Sequence, residues 1–169
     1  MRTDSSLRLM TVFGLGHLRP APGTWGSLPA VAVAGALMAA GFGPAEHAWV
    51  YTGVLGAIVI VFTVVCAVQG DLAEAKFLKK DPSQVVADET AGQALALLAL
   101  PAKAVGTPAL AVFTLIFAFL TFRVLDIVKP WPARQIQAVP GGWGVVLDDL
   151  VAGAYALLIV QVVARVWVP

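Results

Sequence analysis

An all-α membrane protein is the fold class the sequence predicts: a polytopic helical bundle of about four to five hydrophobic helices with a polar site at its cytoplasmic side. Three features predict it. Hydrophobic residues make up 59% of the 169 positions and charged residues only 12%, about half the charged share of a soluble domain. The apolar residues fall in helix-length runs, and the charges gather between those runs. One soluble core of this size could not bury so much apolar surface, so lipid is the expected solvent. The length suits a single domain, residues 1–169.

Charge and cysteine content exclude several function classes. The formal net charge is +1, and no basic run marks a surface that would track phosphates, so nucleic acid is not an expected partner. Cys66 is the one cysteine, which rules out an internal disulfide or a thiolate metal site and reads as a packed thiol. The start, Met1 to Arg8, is short and polar and lacks the pattern of a cleaved signal peptide.

The first apolar segment, residues 28–41, is short and ends at Gly41, Gly43 and Pro44. Residues 49–69 form the clearest span, uncharged and long enough for a bilayer core of about 20 residues. Residues 90–102 are a short third segment that either spans or dips into the membrane and returns. Residues 107–122 and 150–164 are the fourth and fifth. Gly53 and Gly56 in the second, with Ala152, Gly153 and Ala156 in the fifth, would let helices approach closely in lipid.

Cations orient the chain. Arg2, Arg8 and Arg19 precede the first segment, Lys76, Lys79 and Lys80 follow the second, and Arg123, Lys129 and Arg134 bracket the end of the fourth. The positive-inside rule then puts the N-terminus, the 70–88 loop and the 129–144 loop in the cytoplasm. Every polar cluster falls on that one side.

Four such clusters could carry chemistry. The first joins Phe13-Gly14-Leu15-Gly16-His17 to Pro22-Gly23-Thr24-Trp25-Gly26-Ser27. It is either a plain turn or a phosphate cradle in which Ser27 caps the next helix. The second is Asp81-Pro82-Ser83 followed by Asp88-Glu89. These carboxylates could merely complement a helix dipole, but ionised groups at the edge of hydrocarbon are costly unless paired or bound to a cation. The third holds Arg123, Asp126 and Lys129, spaced by three on one helical face, then Trp131 and Arg134. An interfacial ion-pair ladder would explain it; so would a metal carboxylate beside phosphate-binding cations. The fourth is Gly141-Gly142-Trp143-Gly144 with Asp148-Asp149 entering the last span. His17 and His47 are too few for a histidine-based centre, and His47 reads as surface.

Asp88, Glu89, Asp126, Asp148 and Asp149 thus put five carboxylates at the inner ends of three helices. Hard oxygen ligands of this kind suit Mg²⁺. With Arg123, Lys129 and Arg134 nearby, both halves of a phosphoryl-transfer site are present, the nucleophile being either water or a carboxylate.

In this order the clusters resemble the phosphatidylglycerophosphatase A family. The resemblance is carried by Phe13-Gly14-Leu15-Gly16, residues 21–27, Asp81 with residues 85–89, residues 122–134, Gly141-Gly142-Trp143-Gly144 and residues 148–153. It implies an all-helical, Mg²⁺-dependent enzyme of bacterial phospholipid synthesis in the inner membrane, acting on phosphatidylglycerophosphate. On the phosphatase reading Asp88, Glu89, Asp126, Asp148 and Asp149 are the expected catalytic residues and would hold one or two Mg²⁺ ions. Arg123, Lys129, Arg134, Gly23, Thr24 and Ser27 are then the phosphate-binding set. The sequence departs from the family pattern at His17, Leu18 and Arg19, and at Gln137, which stands where an aspartate is frequent; neither change removes an acidic pair.

The alternative is a cation-binding transporter whose carboxylates line an ion path. Such a path should cross the bilayer, whereas these acidic residues stop at one edge. A non-catalytic scaffold would leave the pairing of carboxylates with cations unexplained. The Ser-Arg-x-x-x-His signature of histidine-nucleophile lipid phosphatases and the Asp-Gly-x-x-Ala-Arg signature of CDP-alcohol phosphotransferases are both absent.

Overall fold

A computed structural model describes residues 7–166; the polar start with Arg2 and the last three residues lie outside them. All regular structure among the described residues is helical. The helices are α1 (Pro22–Ala39), α2 (Ala48–Phe77), α3 (Ala87–Ala96), α4 (Pro108–Val128), α5 (Ala133–Ile136) and α6 (Gly142–Val166), with 3-10 turns at Leu15–His17 and Ala102–Val105. Three of them, α2, α4 and α6, are long and apolar enough to cross a membrane.

The boundaries differ from the sequence reading in instructive ways. Pro22 stands in the first turn of α1, where its fixed φ and missing N–H favour helix initiation, so the Gly23–Ser27 stretch is helix and not a turn. Ser27 is therefore no cap; its hydroxyl donates to the Gly23 carbonyl at 2.8 Å. α2 continues through Gly70 to Phe77 and takes up much of the expected 70–88 loop. α4 runs on past Phe122 to Val128, carrying Arg123 and Asp126 inside the helix. α6 begins at Gly142, directly after Gly141 at φ +76°, so the last glycines open a helix and Asp148 and Asp149 lie almost two turns within it.

The short third segment is explained by where it sits. α3 is the hub of the bundle, with eight of its ten residues buried, and it packs against α1, α2, α4 and α6. At ten residues it is about 15 Å long. Beyond it the chain does not return to the acidic end. Gln161 of α6 donates through Nε2 to the Leu98 and Ala99 carbonyls at 3.2 and 2.7 Å. Lys103 donates to the Arg165 carbonyl at 2.9 Å, at the far end of α6. A side-chain amide thus satisfies carbonyls that a longer helix would have satisfied itself.

Glycine sets the helix spacing, though not at every expected position. Space around Gly53 and Gly56 is open. The close approaches are elsewhere: a Cβ on Gly70 would overlap Gly142, one on Gly142 would overlap the Cys66 carbonyl, and one on Gly153 would overlap the Gly92 carbonyl. These contacts lock α2 and α3 against α6 backbone to backbone, as helices in lipid require when no aqueous hydrophobic effect drives them together. Ala152 and Ala156 are fully buried in the same seam, beside Phe122, and Cys66 is a buried free thiol.

Candidate active site

α3 delivers two carboxylates from its first turn, and α6 meets them with a third. Oxygens of Asp88, Glu89 and Asp149 lie within 4.8 Å of one another, close enough for one cation. Asp88 and Asp149 are only 5% and 3% exposed. The Gly92–Gly153 contact fixes this meeting, since a Cβ on Gly92 would stand 2.6 Å from the Asp149 carbonyl oxygen.

Around that trio the other predicted residues divide into two groups. Arg123 projects from α4 with Nη1 2.8 Å from Asp126 and 4.0 Å from Glu89, and it donates to the Ser27 hydroxyl at 3.5 Å. Gly23, in the first turn of α1, lies directly against this pair: an added Cβ would overlap Glu89 Oε1 and stand 2.9 Å from both Arg123 terminal nitrogens. Thr24 is half-buried on the same turn. The N-terminal end of the α1 dipole therefore points at the site, where it favours an anion.

Lys129 and Asp148 form a second pair. Lys129 does not continue the ladder expected from its spacing, because α4 ends there in a left-handed cap at φ +48°. The chain turns, and Lys129 Nζ donates to Asp148 Oδ2. Burial alone would favour the neutral amine, but the hydrogen bond and charge of Asp148 outweigh it and hold the ammonium above the ordinary lysine range. Arg134 is exposed on α5 and lines a cavity of about 480 Å³ with Lys79, Lys80, Asp81 and Gln137. His17 is exposed in its 3-10 turn, and His47 is exposed where it precedes α2.

The donor set has unused capacity. Asp88 Oδ1, Glu89 Oε2, Asp148 Oδ1, Asp149 Oδ2 and Arg123 Nε are buried with no hydrogen-bond partner. Such groups cost free energy unless something binds them. Three carboxylates with free oxygens fit a hard divalent cation, and the unpaired guanidinium N–H beside them fits an oxyanion.

Burial, then the neighbouring Glu89, push the Asp88 carboxyl well above the usual range. Burial, then the charge of Asp149, raise Glu89 to about 8. α3 is outside the three long spans, so this pair titrates from the polar end of the bundle. An acid whose folded pKa lies above its unfolded value near 4.5 contributes stability that is complete below that value and is lost as pH rises through about 8. In chelator, the thermal midpoint is therefore expected to fall between about pH 5 and pH 9. Saturating divalent cation, which binds the deprotonated form, should remove that fall. A midpoint independent of pH in chelator would contradict the clustering of these carboxylates.

Sequence reasoning gave Gln137 no role and passed over Gln93. Gln137 donates to Asp81 Oδ2 at 3.0 Å and so ties the segment before α3 to α5. Gln93, on α3 one turn after Glu89, is completely buried with neither amide atom partnered. Its signal was present as the one strongly polar side chain inside the apolar run 90–102.

Helices long and apolar enough to span a membrane thus bring carboxylates, an arginine and a helix N-terminus together, a set of groups suited to phosphate chemistry. The comparisons with known proteins make the class specific: it is a phosphomonoester hydrolase, and the chain belongs to the phosphatidylglycerophosphatase A family, whose model matches residues 8–164. It is 32% identical to the phosphatidylglycerophosphatase A of Haemophilus influenzae over 154 residues, covering 88% of this chain and 82% of that one. It is 37% identical over 152 residues to a putative phosphatidylinositol-3-phosphatase of Bacteroides thetaiotaomicron, covering 90% and 89%. A third relative, the Escherichia coli phosphatidylglycerophosphatase A, is 35% identical over 88 residues, 52% of this chain and 47% of that one. No solved structure matches the chain.

Proposed function

We propose that the protein hydrolyses phosphatidylglycerophosphate to phosphatidylglycerol and inorganic phosphate, using Mg²⁺, at the cytoplasmic face of the bacterial inner membrane. The observation that carries this reading is the convergence of Asp88, Glu89 and Asp149, with unpartnered oxygens, beside Arg123 and the start of α1. These three carboxylates would hold the cation, with Asp126 and Asp148 completing the acidic wall. Mg²⁺, when bound, would supply Lewis-acid polarisation of the phosphoryl oxygens and a source of nucleophilic water at neutral pH.

The chain's own residues do the rest. Asp126 holds Arg123 in place at 2.8 Å, leaving guanidinium N–H groups to grip two phosphate oxygens in parallel. Gly23, having no side chain, lets Glu89 and Arg123 pack directly against the first turn of α1, which holds both groups at the helix's N-terminal end. Asp148 holds the Lys129 ammonium, a cation able to offset negative charge that develops on the phosphoryl group. Arg134, with Lys79 and Lys80, adds a cationic surface for anionic headgroups. The acyl chains remain among the lipid-facing helices while the headgroup enters laterally.

A second reading, a phosphatidylinositol phosphate as substrate, is favoured by the similarity to the Bacteroides protein. Phosphate release from both lipids in detergent micelles, with Mg²⁺ and with chelator, separates the two. The expected result is Mg²⁺-dependent release from phosphatidylglycerophosphate at a kcat/KM at least tenfold above that for the inositol lipid. The reverse order would replace the first reading with the second, and release undiminished by chelator would overturn the metal.

A further inference from the structure

Gln93 has no task in the chemistry above, yet its side chain is 0% exposed and both Oε1 and Nε2 lack a partner. Burying a carboxamide without hydrogen bonds costs about 1–3 kcal/mol on mutational scales. A methionine or leucine would fill the same space without that cost. Something that the amide is meant to meet is the simplest physical reason for its presence.

Its position says where that partner comes from. Seen down the α3 axis, Gln93 lies about 40° from Glu89 and about 60° from Thr90, at 100° per residue. Glu89 faces Gly23 and Arg123, and the Thr90 hydroxyl donates to the Gly26 carbonyl at 2.6 Å. The face between them is thus turned towards α1 and α4, the helices that bring Gly23, Ser27 and Arg123 to the site. Helical Cα–Cβ bonds tilt towards the N-terminus, so a side chain at i+4 covers the turn that holds residue i. By that geometry the amide reaches back towards the turn of α3 that holds Glu89, on the face turned to α1 and α4.

The chemistry of the amide selects its partner. Cation ligation would satisfy Oε1 and leave the NH₂ group facing positive charge. A phosphate oxygen would satisfy the NH₂ group and be repelled by Oε1. A hydroxyl satisfies both, accepting from Nε2 and donating to Oε1. We propose that Gln93 is a specificity contact that reads a hydroxyl of the polyol headgroup next to the phosphomonoester. This rests on the phosphatase reading and deepens it. Glycerol and inositol headgroups both carry such a hydroxyl; phosphatidate, whose phosphate sits on the diacylglycerol itself, carries none.

The test compares wild type with Gln93→Met, and with the shorter, branched Gln93→Leu, on phosphatidylglycerophosphate, phosphatidylinositol 3-phosphate and phosphatidate, in micelles with Mg²⁺. A site built to bond a substrate hydroxyl loses that discrimination when its partner group is removed. The expected result is a fall of about 100-fold in the kcat/KM ratio of the hydroxyl-bearing lipids over phosphatidate. Thermal midpoints in chelator should be equal to wild type or higher, since an unsatisfied amide has gone. Equal losses on all three lipids would overturn the proposal and make Gln93 a support for Arg123 or for a buried water. Unchanged ratios would overturn it too. Wild-type protein that releases phosphate from none of the lipids would sink the phosphatase reading itself, a result distinct from either.

Discussion

Asp149→Asn is expected to lower kcat by at least about 10³-fold while leaving the protein folded, and in chelator the variant should be more stable than wild type. Both effects come from one crowded geometry. Asp149 stands 3% exposed among Asp88 and Glu89, with ligand oxygens within 4.8 Å of one another. Without a cation, like charges at such separations repel, and replacing one by a neutral amide relieves them. With a cation the same residue is a ligand that asparagine replaces poorly, because the charge that offsets the ion is lost. Removal of a group that stabilises the transition state electrostatically costs about 10²–10³ in rate, and loss of the cation's own contribution adds to that. The measurement pairs phosphate release with thermal unfolding, each in Mg²⁺ and in chelator. An active variant, or one destabilised in chelator, would remove Asp149 from the centre of the site.

Gly23→Ala should damage activity less than Asp149→Asn, though still severely, and be mild for the fold. The added methyl would overlap Glu89 Oε1 and stand 2.9 Å from both terminal nitrogens of Arg123. These are the far ends of flexible side chains, which can swing aside, so helix α1 keeps its place. Alanine in the first turn also improves helix propensity by up to about 1 kcal/mol. The displaced carboxylate and guanidinium no longer converge, and misplacement by about 1 Å costs about 10²-fold in rate. A kcat/KM reduced by about 10²-fold with a thermal midpoint within about 3 °C of wild type is the expected outcome. Wild-type activity would mean that the start of α1 is not part of the site. The contrast is Gly142, where a Cβ would meet the Cys66 carbonyl, backbone that cannot swing away; there the fold itself is at stake.

Local patterns in the sequence carried much of this. Composition and run length named the solvent and the helical class, because a bilayer demands long apolar helices and leaves few alternatives. The pairs Asp88-Glu89 and Asp148-Asp149 stood out because charge at the edge of an apolar run has few structural explanations. The spacing of Arg123 and Asp126 predicted a shared face, and the 2.8 Å ion pair follows from helix geometry alone. The same rule failed one turn later at Lys129, since a left-handed cap ends the helix and sends the ammonium to Asp148.

What the sequence by itself determined, then, was the class of fold, the family and the inventory of groups able to handle phosphate and a cation. Only the tertiary structure decided which of five carboxylates meet, which are occupied by Arg123 and Lys129, and that Arg134 shares a cavity with Lys79 and Lys80. It also decided how many helices are long enough to span, and it buried the amide of Gln93 without a partner one turn after Glu89. The physical reason is one of range. Backbone geometry fixes relations within a helix over three or four residues, whereas convergence between helices depends on crossings set by backbone contacts such as Gly92 against Gly153 and Gly70 against Gly142. In the sequence those glycines look like breakers or fillers, and only packing reveals that they set the distances on which the chemistry depends.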